Sequence, residues 1–114
     1  MIVLDFPPAT LSGHANGNRW SKSAVTKQYR AKAYDVASKA QYAIPDEGDI
    51  RIHMRFVPPT KAGDRVNFPN RMKPYIDGIA DALGINDSRF LPSYEFCAPE
   101  KPGRVEITMG ITRD

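Results

Sequence analysis

The chain has 114 residues, 41% of them hydrophobic and 25% charged, with a net charge of +3 and a pI near 9.1, which bounds it to one globular domain, residues 1–114, with a modest core. No apolar run approaches the roughly 20 residues that cross a bilayer, and Met1 to Pro8 lacks a basic n-region and a cleavage site, so neither a membrane span nor a signal peptide is expected. Cys97 is alone and cannot form an internal disulfide, which fits a reducing cytoplasm, and with only His14 and His53 beside it no zinc site is spaced.

Ile2 to Phe6 predicts a short strand stopped by Pro7-Pro8. A polar loop follows from Ala9 to Trp20, carrying His14, Asn16, Asn18 and Arg19. Ser21 or Ser23 can cap a helix running to about Ala43, with Val25, Tyr29, Val36 and Ala40 at helical spacing and Ala33 filling between them. Lys27 and Arg30 fall off that stripe. Ile50 to Val57 alternates as a strand, with Ile50, Ile52, Met54 and Phe56 inward and Arg51, His53 and Arg55 on a basic outer face. A second helix is expected to start between Pro69 and Lys73, because Pro74 fits only the first turn. It buries Met72, Ile76, Ile79 and Leu83 and carries Lys73, Asp77 and Asp81 along another face. Arg89 to Cys97 reads as a strand that Pro92 assigns to an edge or a bulge, and Arg104 to Thr112 as a last strand. The expected fold is α+β: a mixed sheet of about four strands covered by two helices, in the order β-α-β-α-β-β.

The charge is uneven, with six bases against two acids in residues 1–43 and ten against eleven beyond. A basic half beside an acidic cluster suits an anionic polymer cut at a metal site, and a solvated helix face is the plainer alternative. The cluster is Asp64 before the second helix, Lys73 near its start, Asp77 and Asp81 within it, and Asn86-Asp87 after it. Asp64 and Asp87 are the best candidates for hard oxygen ligands to Mg²⁺ or Mn²⁺, or else a helix cap and a turn former. Lys73 can steady a phosphate or position water, or it can pair with Asp77 at i,i+4. Asp77 and Asp81 either support the ligands or face solvent, and as like charges they need a cation or base between them. Arg19, Lys27, Arg30, Arg51 and Arg55 are the candidate DNA-contacting cations, with His53 part of the same phosphate-tracking surface. Trp20 can stack on an unpaired base or pack under its own loop, and His14 alone is a weak candidate for a proton shuttle.

This cluster resembles the signature of the RusA-type Holliday junction resolvases, in which an Asp-x-Asp-Asn run precedes a lysine and a later Asp-Asp pair. Asp64 matches the first family aspartate, Asn67 the asparagine, Lys73 the lysine, Asp77-Gly78 the following acidic turn of helix and Asp87 the second member of the pair. Pro7-Pro8, Leu11-Ser12-Gly13, Trp20 and Tyr29-Arg30 look like the family's opening, so the likeness covers most of the chain. It implies a homodimer that binds four-way DNA junctions and nicks opposing strands with Mg²⁺ or Mn²⁺, often encoded by prophages. Two positions depart: Val66 stands at the second family aspartate and cannot ligate a metal, and Asn86 replaces the first aspartate of the pair. Two carboxylates can still serve, since Mg²⁺ often uses one or two besides phosphate and water. The expectation is an endonuclease of reduced activity on branched DNA, with a catalytically silent DNA-binding relative as the alternative and a small interaction protein as a third reading.

Overall fold

The computed structural model describes residues 1–11, 19–40, 42–61 and 63–111, the side chains of residues 10, 19–22 and 111 excepted. Strand β1 (Ile2–Asp5), helix α1 (Arg19–Lys39), strand β2 (Ile50–Val57), helix α2 (Lys73–Leu83), strand β3 (Phe90–Phe96) and strand β4 (Arg104–Ile111) follow in that order. They form the expected α+β domain, a four-stranded mixed sheet ordered β1-β4-β2-β3 with two helices on it. β4 runs antiparallel to β1 on one side and to β2 on the other, whereas β3 pairs parallel with β2. A parallel pair needs a crossover, and α2 supplies it. Pro92 lies on the outermost strand, opposite Ile52, where a missing N–H is tolerated.

The alternation of β2 holds as expected: Ile50, Ile52, Met54 and Phe56 are buried among Ile2, Leu4, Val105 and Ile107 of the neighbouring strands. Over this face lie α1 and α2, in contact through their smallest residues. Ala33, Ala37 and Ala80 are buried, and a Cβ placed on Gly78 would lie 2.2 Å from the Arg30 carbonyl oxygen and 3.0 Å from Ala33 Cβ. The buried stripe of α2 is therefore centred on Tyr75, Gly78 and Ile79, with Ile76 and Leu83 only partly covered. This corrects the expected stripe: where backbones approach closely, glycine and alanine are the contact, and an apolar-size pattern overlooks them. The Tyr75 hydroxyl donates to the Asp5 carbonyl at 2.7 Å, and burial pushes its phenol well above the usual range.

α1 stops at Lys39, short of the expected Ala43. The Ala40 N–H is shared between the carbonyls of Val36 and Ala37, and Tyr42 and Ile44 then pack against the core. Pro45 disfavours helical backbone at Ile44 and so bars a return to helix before β2. α2 is preceded by a 3₁₀ turn, Pro69–Met72, which resolves its uncertain start at Lys73. It ends at Gly84 (φ 67°), where the N–H groups of Gly84 and Ile85 bond back to the carbonyls of Asp81 and Ala80. That is a Schellman ending, and it turns the chain back along the helix it has just left.

Candidate functional site

Reversal at Gly84 decides what the acidic cluster becomes. Asn86 opens the next turn, its side-chain oxygen accepting from the Ser88 N–H at 2.9 Å, and Asp87 is carried to the face of α2 that bears Lys73. Lys73 and Asp77, four residues apart on one helix face, meet at 2.9 Å, and the Lys73 ammonium also donates to Asp87. The lysine is thus held between two carboxylates from different elements. Its hydrogen bond holds the Asp87 carboxyl below the usual carboxylate range, and the bonds to Asp87 and then Asp77 raise the lysine.

One turn further along, Asp81 takes a different cation. Arg30 of α1 donates from Nε at 2.8 Å and approaches from Nη2 at 2.7 Å, which the close helix contact at Gly78 permits. The repulsion expected between Asp77 and Asp81 is relieved by giving each its own base. Arg30, Lys73, Asp77, Asp81, Asn86 and Asp87 together line one depression open to solvent.

Asp64 stands apart from this arrangement. Its carboxylate caps the 3₁₀ turn Arg65–Asn67, accepting from the Val66 N–H at 3.1 Å and from Asn67 Nδ2 at 3.4 Å. It makes no ion pair among the described residues. Val66 is 79% exposed, neither a core residue nor covered by the cluster. Among the described residues no three His, Cys, Asp or Glu side chains gather as a metal-ligand group. The cap reading of Asp64 and the Lys73–Asp77 pair are both realised.

The outer face of the sheet is less basic than its β2 sequence predicts. Arg55 lies opposite Glu95 on one side and Glu106 on the other, and it bonds to them at 3.2 and 2.7 Å. Arg104 reaches Glu106 at 2.6 Å and Glu100 at 3.2 Å. His53 contacts Ser93 Oγ through Nδ1 at 2.7 Å and Glu95 through Nε2 at 3.3 Å. Bonds from Arg104 hold Glu106 low, and bonds from His53 and then Arg55 do the same for Glu95. Of the expected cations, Lys27 and Arg51 are exposed with no ion pair among the described residues, while Arg30 and Arg55 are paired. His14 and the side chains of Arg19 and Trp20 lie outside the described residues.

Sequence reasoning also missed a cleft of about 310 Å³ on the other side of Lys73, between the start of α2 and the inner face of β3. The apolar alternation Phe90, Pro92, Tyr94, Phe96 was its available signal. No helix is long and apolar enough to cross a membrane among the described residues.

No family model matches the chain. An uncharacterized protein of Xylella fastidiosa (strain Temecula1 / ATCC 700964) is 39% identical over 119 aligned residues, covering 98% of this chain and 77% of that protein. At that identity over nearly its full length, the chain belongs to the same family as the Xylella fastidiosa protein.

Proposed function

We propose that the protein is a metal-dependent endodeoxyribonuclease of RusA type that acts on branched DNA as a homodimer, with activity reduced by Val66 at the second aspartate position. The observation that carries this reading is the Lys73 ammonium held between Asp77 and Asp87. A lysine in that position is a movable positive charge beside carboxylates that accept a cation. Mg²⁺ is commonly held by one or two carboxylates together with phosphate and water, so this donor set fits it. Asp87 would hold the ion, with Asp64 contributing where its loop is free of the cap. Bound there, the metal would supply Lewis-acid polarisation of a phosphate. Lys73, freed from Asp87, would face the substrate and balance charge gathering on the scissile phosphate. Asp77 keeps the ammonium in place through that exchange.

A catalytically silent DNA-binding protein is the second reading, favoured by the Asp64 carboxylate being spent on its own turn. Nicking of a synthetic four-way junction in Mg²⁺ or Mn²⁺, set against junction binding in EDTA, separates the two. Metal-dependent nicking that Asp87→Asn and Lys73→Ala each abolish is the expected result. Binding with no nicking in either metal refutes the enzyme, and absence of both refutes the DNA reading altogether.

A further inference from the structure

The cleft beside Lys73 has no role in the metal-site reading, yet it shares residues with that site. Phe90, Pro92 and Tyr94 of β3 form one wall, and Met72 and Ile76 form the other. Met54 lies at its floor, next to Tyr94 in the parallel register. Asn70, Lys73 and Asp87 stand at its rim, so the lysine that separates the two hollows lines both. The cleft exists because β3 is an edge strand: the helical layer stops short of it and leaves Tyr94 42% and Phe96 43% exposed on the face that is otherwise core.

The geometry points to a binding site for one unpaired nucleobase of a DNA strand, with its phosphate at Lys73. This rests on the endonuclease reading and gives that site a substrate class, a strand with an unstacked nucleotide. Three features select the occupant. A volume near 310 Å³ sits at the small end of ligand clefts and suits a single flat ring system, not a helix or strand of a partner protein. The lining combines the rings of Tyr94, Phe90 and Pro92 with two methionines and two isoleucines, a surface on which stacking tolerates any base. Charged groups line it only around Lys73, whose ammonium would exchange the Asp87 carboxylate for a phosphate, beside an amide, Asn70, that can donate to or accept from a base edge. An apolar metabolite would leave that rim unused, and paired DNA cannot enter without losing a base from its stack.

The four methionines report on this directly. Met54 and Met72 line the cleft, whereas Met109 lines a separate hollow with Tyr42 and Ile50, and Met1 is exposed. With [¹³C-methyl]methionine-labelled protein in EDTA, a hairpin carrying a three-nucleotide bulge should shift the Met54 and Met72 methyl signals and leave Met1 and Met109 in place. A fully paired hairpin should move none of them. Tyr94→Ala, at a half-exposed position, should weaken binding of the bulged hairpin by about tenfold, within the range of single-base stacking, and Tyr94→Phe should restore it. If the bulged hairpin binds by fluorescence anisotropy while the Met54 and Met72 signals stay fixed, the cleft assignment is overturned and the endonuclease reading stands. If thymidine 5′-monophosphate alone moves those signals as tightly as the bulged hairpin does, the site serves free nucleotides and the strand assignment is overturned. Failure to bind either hairpin or a four-way junction removes the DNA reading and this inference with it.

Discussion

Gly78→Ala tests how the two helices place Arg30 beside the acidic cluster. The new methyl carbon would sit 2.2 Å from the Arg30 carbonyl oxygen, which is backbone and cannot swing aside. Reaching an ordinary contact near 3.4 Å requires α1 and α2 to part by about 1 Å. Overpacking of this kind costs about 1–3 kcal/mol. Replacing glycine inside a helix returns about 1 kcal/mol of propensity. Because the 2.2 Å clash is with backbone, the upper end of that range applies, and the expected net loss is about 2 kcal/mol, or roughly 8–16 °C in Tm at about 4–8 °C per kcal/mol. Thermal melts followed by circular dichroism measure it, with Gly110→Ala as control because nothing lies within 4 Å of a Cβ there. Parting the helices also draws Arg30 away from Asp81, so the Arg30 Nε–H resonance should lose its hydrogen-bonded shift. A Gly78→Ala protein that melts at or above the parent, with that resonance unchanged, would refute the close-packing argument.

Val66→Asp should fold normally, because the side chain is 79% exposed, and should tighten Mn²⁺ binding in calorimetry only while Asp64 and Asp87 are intact; unchanged affinity would mean that the family register is misplaced. Lys73→Met should raise the Asp87 carboxyl toward its ordinary value in a ¹³C NMR titration, since the lysine is the main cause of its depression. Asp87, Glu95 and Glu106 all have lowered folded values, so the stability that they contribute is complete above the unfolded carboxylate range near about 4. It is lost as pH falls through the folded values: urea midpoints should be flat from neutral pH and drop in acid, less steeply in Glu95→Gln/Glu106→Gln, and an unchanged acid limb would contradict this. In DNA binding, replacing Lys27 or Arg51 by Ala should reduce the salt dependence by about 0.9 per lost phosphate contact. Arg55→Ala should leave that slope alone and lower Tm instead, and a slope change with Arg55→Ala would restore it to the DNA surface.

The parts of the fold that could be read from the sequence are those with a strict period or a strong stop signal. β2 alternates from Ile50 to Phe56, Pro92 marks the edge strand, and Pro74 fixes the first turn of α2. What was hidden depends on pairing across the chain. Nothing local tells Arg55 that Glu95 and Glu106 will flank it, because parallel and antiparallel registers from two other strands set those neighbours. The same holds for Arg30 and Asp81, joined across 51 positions by a helix crossing built on a glycine. In the candidate site, Lys73, Asp77 and Asp87 were legible as a group because one helix and one reversal unite them. Asp64 belonged to the sequence motif, but its carboxylate is engaged by the turn that it caps.

Val66 sits on the surface of a turn whose cap is supplied by its neighbour, so folding places almost no demand on its side chain. Selection for stability is blind at this position, while on the proposed reading selection for cutting acts there strongly. A lineage can therefore lose a ligand here without endangering the fold and regain it later by a single substitution. On that reading, Val66→Asp and the parent protein should be equally well folded and differ in strand cleavage alone.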